Sequence, residues 1–299
     1  QHLSRRYADV SFTLRYKSYV DFELRSLTYH IMAAQAELVS KVHIWSHQGS
    51  FSTLLLRSFS SADYVVGNEK FVIGEAPHDI NPDHTGLFGS ERAMFEPKWK
   101  SIIKNFEGHD KVALKEHAWL FHGLSPNDSL QDFFMPGSKH IFLLRRPDLS
   151  FVSYKRRLTG SPDEISGMLR EVEMSLHGFE KLWNLLPQHF PKILVDGGRL
   201  VEEPGKHLPH LVSWVSPLLP LQPFFTWDPL PDTHPVFGFF NEFKEIRNST
   251  GWISTKESTK LAHLVLPSDP AHLDIINRNL LVYHRLLNNA QTSGNLLTV

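Results

Sequence analysis

The stretch KVHIWSHQGSFSTLLLRSF, Lys41 to Phe59, decides how the chain is read. Lys41–Trp45 is a short apolar run suited to a buried strand. Ser46–Phe51 is small and polar, with Gly49 inside it, and Ser52–Phe59 resumes an apolar pattern at helical spacing. Strand, tight loop and helix in that order build an anion site, because loop N–H groups and the helix N-terminus point at one spot. Ser50, Ser52 and Thr53 add hydroxyl donors. The loop lacks the Gly-Lys-Ser/Thr ending of a nucleotide-hydrolysing P-loop, so ATP or GTP hydrolysis with a loop lysine is not supported. Taken alone, the same residues also read as an ordinary strand-to-helix turn capped by Ser52.

Composition sets the frame around that stretch. The 299 residues are 41% hydrophobic and 21% charged, enough for a sizeable core. A formal net charge of -1 gives no bulk attraction to nucleic acid or an anionic membrane, so any anion site is local. The absence of cysteine excludes disulfides, thiolate catalysis and cysteine metal sites, and leans toward a reducing, cytoplasmic setting. No apolar run reaches the roughly 18 residues of a membrane span, and no signal peptide is visible. The chain begins at Gln1, which leaves room for a leader or anchor upstream.

Three further strand ends carry candidate chemistry. Lys111–His117, KVALKEH, reads as a strand, and period-two alternation places Ala113, Lys115 and His117 on one face and Val112, Leu114 and Glu116 on the other. Lys115 and His117 then project together at the C-terminal end, where open α/β sheets bind ligands. A solvated strand end would carry the same two residues. Lys139–Arg145, KHIFLLR, is the clearest buried strand; Arg146-Pro147-Asp148 turns the chain into a helix over Leu149–Leu158. An arginine at a strand end suits phosphate, because its planar fork binds two oxygens. Lys192–Asp196, KILVD, is another buried strand, followed by Gly197-Gly198 and a helix to about Trp214.

In this order the segments resemble the sulfotransferase family. Trp45, Ser46, Ser50, Ser52 and Thr53 match its 5′-phosphosulfate loop. Gln48 stands where that family has proline, and Gly49 where it has the arginine or lysine that touches the sulfuryl donor. Lys115-x-His117 resembles its catalytic Lys-x-His, and Arg145, Pro147 and Ser153 fit its 3′-phosphate motif. Glu75 and Pro77 loosely echo the segment after its second strand. The segment from Asp196 to Pro204 resembles the one after its fourth, and Arg247, Gly251 and Trp252 weakly resemble its nucleotide-closing loop.

The resemblance implies a single α/β domain over residues 1–299. Its central parallel sheet has about five strands, near residues 42–45, 64–66, 112–116, 140–145 and 192–196, with helices on both faces. It implies sulfuryl transfer from 3′-phosphoadenosine 5′-phosphosulfate to a hydroxyl of a small apolar or aromatic acceptor, without metal. His117 is then the base and Lys115 the electrostatic partner. Gln48, Gly49, Ser50, Phe51, Ser52 and Thr53, with Arg145, Ser153 and Arg247, hold the nucleotide. Neither nucleic acid nor an integral membrane segment is expected. Because Gly49 removes a cation, two alternatives stand. One is a sulfotransferase-like fold repurposed for donor-independent cyclisation, elimination or isomerisation. The other is a non-catalytic nucleotide-binding protein.

The remaining segments are plainer. Residues 1–40 read as an N-terminal helical extension, and Phe71–Ile73 as a short strand. Trp99–Phe106 and Met168–Leu186 read as helices, with a loop over Gly160–Gly167. Residues 217–255 concentrate proline and aromatic residues, suiting a pocket wall or a core-packing loop. Residues 269–290 form a C-terminal helix with Asp269-Pro270 at its start. The histidines form no HExxH or closed ligand set, so no metal is expected.

Overall fold

The computed structural model describes residues 40–47, 49–68, 92–155, 162–229, 231, 246, 248–252 and 269–297. Gln48, Arg247, the N-terminal extension and the segments at 71–77 and 156–161 lie outside the described residues.

Five strands form one sheet, all parallel: β1 Ser40–Ser46, β2 Val65–Asn68, β3 Lys111–His117, β4 Lys139–Leu144 and β5 Lys192–Asp196. Their spatial order is β2-β3-β1-β4-β5. Eight α-helices among the described residues accompany them: α1 Ser52–Ser61, α2 Arg92–Phe106, α3 Pro147–Lys155, α4 Pro162–Leu185, α5 Gly197–Glu202, α6 Pro204–Val215, α7 Gln222–Phe225 and α8 Pro270–Thr292. The sequence-based loop over Gly160–Gly167 is corrected here: α4 begins at Pro162. Met168 and Leu169, with Ile165 packed against them, meet Phe151 of α3 and Ile276 of α8, so the apolar spacing extends the helix backwards past Gly167.

A parallel strand buried on both faces needs apolar residues at both parities. Trp45, Val112, Leu114, Phe142 and Leu194 face one way, against Trp99 of α2, Phe179 and Trp183 of α4, and Leu286 of α8. Val42, Ile44, Ala113, Ile141 and Val195 face the other way, against Leu55, Leu56 and Phe59 of α1, Leu208 and Leu211 of α6, and Phe224 of α7. The first contact is very close at one point. A Cβ on Gly178 of α4 would fall 1.9 Å from the carbonyl oxygen of Ala118, so only glycine lets α4 seat there.

Order and handedness fix where a ligand can sit. The chain leaves β1 for β2 on one side of the sheet and leaves β4 for β5 on the other. The C-terminal ends of β1 and β4 therefore flank the topological switch point, the crevice that open α/β sheets use for ligands.

One feature of the first core has consequences for pH. His43 stacks on Trp45 with ring centroids 5.3 Å apart and on His140 at 5.0 Å. Trp45 Nε1 donates to His140 Nδ1 at 3.0 Å. Burial pushes the His43 imidazole down to about 3 and His140 well below its usual range, so both are neutral in the fold. The unfolded chain takes up those protons as pH falls below about 6.5, so this stability is complete above that pH and is lost on acidification toward about 3. Each such proton steepens the dependence by about 1.4 kcal/mol per pH unit. His140→Asn keeps an acceptor for Trp45 and should flatten the slope between pH 6 and 4 by about one proton, read from denaturant unfolding. An unchanged slope would contradict this account.

Candidate functional site

The loop after β1 is shaped by two left-handed residues. Gly49 has φ 73° and Phe51 φ 69°. For phenylalanine this conformation costs about 1–2 kcal/mol, which marks the turn as held in place by its surroundings. Phe51, not Ser52, is the residue before α1, and it makes no side-chain cap. The expectation of a Ser52 cap is thereby corrected: Ser52 is the first helical residue, and no side chain of the residue before it caps the start of α1. Thr53 lies in the same first turn, buried like Ser52.

Arg145, just past β4, ties this loop to the neighbouring strand. Its Nη1 donates to the carbonyl oxygen of Gly49 at 2.7 Å, and its guanidinium carbon lies 4.3 Å from the centroid of the Phe51 ring. The residue is only 1% exposed. His47 Nε2 lies 3.1 Å from both the amide nitrogen and the carbonyl oxygen of Arg145. It accepts from the first or donates to the second according to tautomer. A solvated basic face is therefore excluded for Arg145. Arg146 instead turns outward and pairs with Asp148 at 2.6 Å.

Helix α3 closes the other side of the loop. A Cβ at Gly49 would lie 3.3 Å from the backbone oxygen of Ser150 and 3.5 Å from its Cα. The position where the resemblance implies a lysine or arginine is thus tightly approached by backbone of α3, and its φ disfavours any side chain. Ser50 Oγ and Ser150 Oγ are both buried and meet no hydrogen-bond partner among the described residues. Buried hydroxyls without partners call for an explanation, and a bound polar group is one. Ser153, one turn along α3 from Ser150, is half-buried. The third wall is β5–α5, where a Cβ on Gly197 would come within 2.6 Å of the Ser50 carbonyl oxygen. Asp196 caps α5 by accepting from Gly198 N at 2.9 Å, and Tyr283 of α8 donates to its other oxygen at 3.1 Å. Burial beside that carboxylate pushes the Tyr283 hydroxyl above its usual range.

Lys115 and His117 stand on the next strand. Register pairs Ile44 with Lys115 and Ser46 with His117, and Asn68 of β2 lies across from Lys115. Both are on the Ala113 face by strand parity. They are 1% and 7% exposed, not the solvated pair that a bare strand end would carry. Glu116, on the opposite face, is also buried, and its carbonyl oxygen accepts from Ser46 Oγ at 3.3 Å.

The aromatic segment after α6 packs against α1. Phe224 is fully buried, and Trp227 lies beside Leu54 and Val201 with Phe51 and Trp252 packed against them. Arg57 of α1 lies 5.4 Å from the Trp227 ring centroid and donates to the Asp228 carbonyl oxygen; burial lowers its pKa to about 10. Gly251 bridges Thr226, and Trp252 Nε1 donates to Phe224 O at 2.8 Å. His47, Ser150, Gly197 and the strained Phe51 backbone escape a sequence reading. Only the Gly197-Gly198 pair after a strand-end aspartate hints at a close approach.

No protein-family model matches the sequence, and no curated protein matches it. Among solved structures the chain is similar to the sulfotransferase domain of the olefin synthase from Synechococcus PCC 7002. The two are 14% identical with a TM-score of 0.51, over 80% of this chain and 92% of that one. The likeness shows a sulfotransferase-like fold.

Restoring a cation at the loop should fail. Gly49→Arg forces a side chain into a left-handed backbone against Ser150. It should destabilise the protein by about 1–3 kcal/mol in denaturant unfolding and leave adenosine 3′,5′-bisphosphate binding no tighter. Unchanged stability with tightened binding would contradict the geometry.

Proposed function

We propose that the chain is an enzyme that transfers a sulfuryl group from 3′-phosphoadenosine 5′-phosphosulfate to a hydroxyl of a small apolar or aromatic acceptor. The observation that carries this reading is the register setting His117 beside Ser46, the last strand residue before the anion loop. Neighbouring strands lie about 4.8 Å apart, so a proton-accepting imidazole is rooted next to the loop. The fit to a nucleotide's phosphates rests on the uncapped start of α1 and on the hydroxyls of Ser50 and Ser150, which have no hydrogen-bond partner among the described residues.

In this reading residues 49–53 hold the phosphosulfate end, with Gln48 and Arg247 as sequence-based additions, and Arg145 and Ser153 serve the nucleotide's phosphates. When bound, the donor supplies the sulfuryl group. His117 accepts the proton of the acceptor hydroxyl, a task an imidazole can perform through its unprotonated ring nitrogen. Lys115 presents positive charge from the same strand face, where negative charge grows on oxygen during transfer. Burial of both residues strengthens these electrostatic effects by keeping water away.

The backbone of Ser150 beside Gly49 favours a second reading, in which the same His117–Lys115 pair performs donor-independent acid–base chemistry on a small molecule. Turnover separates the two. The first predicts release of adenosine 3′,5′-bisphosphate from the donor when phenols or apolar alcohols are supplied. His117→Gln should lower that turnover by about a hundredfold or more, with bisphosphate affinity nearly unchanged by calorimetry. Near-wild-type turnover in His117→Gln would overturn the assignment of the base.

A further inference from the structure

The turn that follows His117 is gripped at both ends by α4. Immediately after β3 the chain makes one 3₁₀ turn, Ala118–Phe121, with His117 capping its start and His122 its end. Gly178 lets the α4 backbone close on this turn, since a Cβ there would lie 1.9 Å from the Ala118 carbonyl oxygen and 3.3 Å from the His122 nitrogen. Lys181 Nζ donates to the His122 carbonyl oxygen at the other end. The last carbonyls of a helical turn lack partners within it, and a cation suits the negative end of its dipole. His177 sets its ring nearly parallel to that of His122, with centroids 5.9 Å apart and planes 10° apart. Lys181 neighbours both Gly178 and His177 on the surface of α4, three and four residues on.

A single 3₁₀ turn has little stability of its own. Its position, and so the backbone from which His117 projects, depends on what holds its ends. Burial keeps the His122 imidazole below its usual range, Lys181 and His177 add to the effect, and Glu173 opposes it. His122 therefore brings no like charge against the Lys181 ammonium at neutral pH.

We propose that Lys181 is a positioning residue for His117: by holding the His122 carbonyl it fixes the turn Ala118–Phe121, and with it the direction in which the His117 imidazole meets the acceptor hydroxyl. This deepens the reading above and rests on it for the role of His117. Lys181 acts through the backbone of residues 117–122 and not on the reacting atoms. Alignment matters at this scale, because a misplacement of about 1 Å can cost about a hundredfold in rate.

Lys181→Met keeps the apolar stem and removes the donor. In the whole chain it should lower kcat with 3′-phosphoadenosine 5′-phosphosulfate and a phenol by about tenfold or more. KM for both, and calorimetric affinity for adenosine 3′,5′-bisphosphate, should stay within about twofold. Lys181→Arg keeps a donor and should bring kcat back to within about threefold of the wild type. Two further readouts need no turnover. The amides of His122 and Leu124 donate to the carbonyl oxygens of Trp119 and Phe121, and their hydrogen exchange should quicken in Lys181→Met but not in Lys181→Arg. The His117 ring signal, followed by NMR against pH, should shift its midpoint in Lys181→Met alone, because its placement relative to Lys115 changes. A kcat for Lys181→Met within about threefold of the wild type, or an unchanged exchange rate and His117 midpoint, overturns the inference and leaves the donor reading standing. No turnover by the wild type, with exchange and midpoint altered as expected, overturns the donor reading and leaves the positioning of His117 by Lys181 standing.

Discussion

The hydrogen bond from Arg145 Nη1 to the Gly49 carbonyl oxygen is the contact on which the site depends. It joins the ends of β1 and β4, the two strands that flank the switch point of the sheet. A buried guanidinium is costly unless its donors are satisfied, and a backbone carbonyl held against a full charge is a strong acceptor. Once that bond is made, other features follow. Gly49 takes a left-handed turn, Phe51 lies against the guanidinium, and the backbone of α3 comes up beside Gly49. Gly197 lets the β5–α5 turn close on Ser50 from the other side. The loop is held by the ends of β1, β4 and β5, the last through a glycine at which a side chain would collide.

This arrangement separates charge from shape. In a loop that carries its own cation, one residue provides both the turn and the charge. Here the turn belongs to Gly49 and the charge to Arg145, which comes from a neighbouring strand. His117 and Lys115 stand one strand away on the opposite side of β1. Arg145 and the Lys115–His117 pair thus flank the central strand from its two sides.

Much of the architecture was legible in the sequence because it rests on periodicity. KVALKEH, KHIFLLR and KILVD each alternate or run apolar over a strand's length, and each is a strand of the parallel sheet. The α/β class and the five strands follow from such local patterns. What was not legible depends on close approach between distant segments. Nothing local in QGSFST says that Phe51 is left-handed, that Ser52 does not cap α1, or that Ser150 sits against Gly49. Likewise, Lys115 and His117 read as polar ends of a strand, and only the packing around β3 buries them. Helix α4 starts at Pro162 rather than Met168, because the surroundings of Gly167 are open and the helix runs through it.

The position of Arg145 with a ligand present is the most direct test of this account. A crystal structure with adenosine 3′,5′-bisphosphate bound should show a phosphate at the start of α1 beside Ser50 and Ser150, with Arg145 still hydrogen-bonded to the Gly49 carbonyl. An Arg145 that has left Gly49, with the loop vacant, would contradict it.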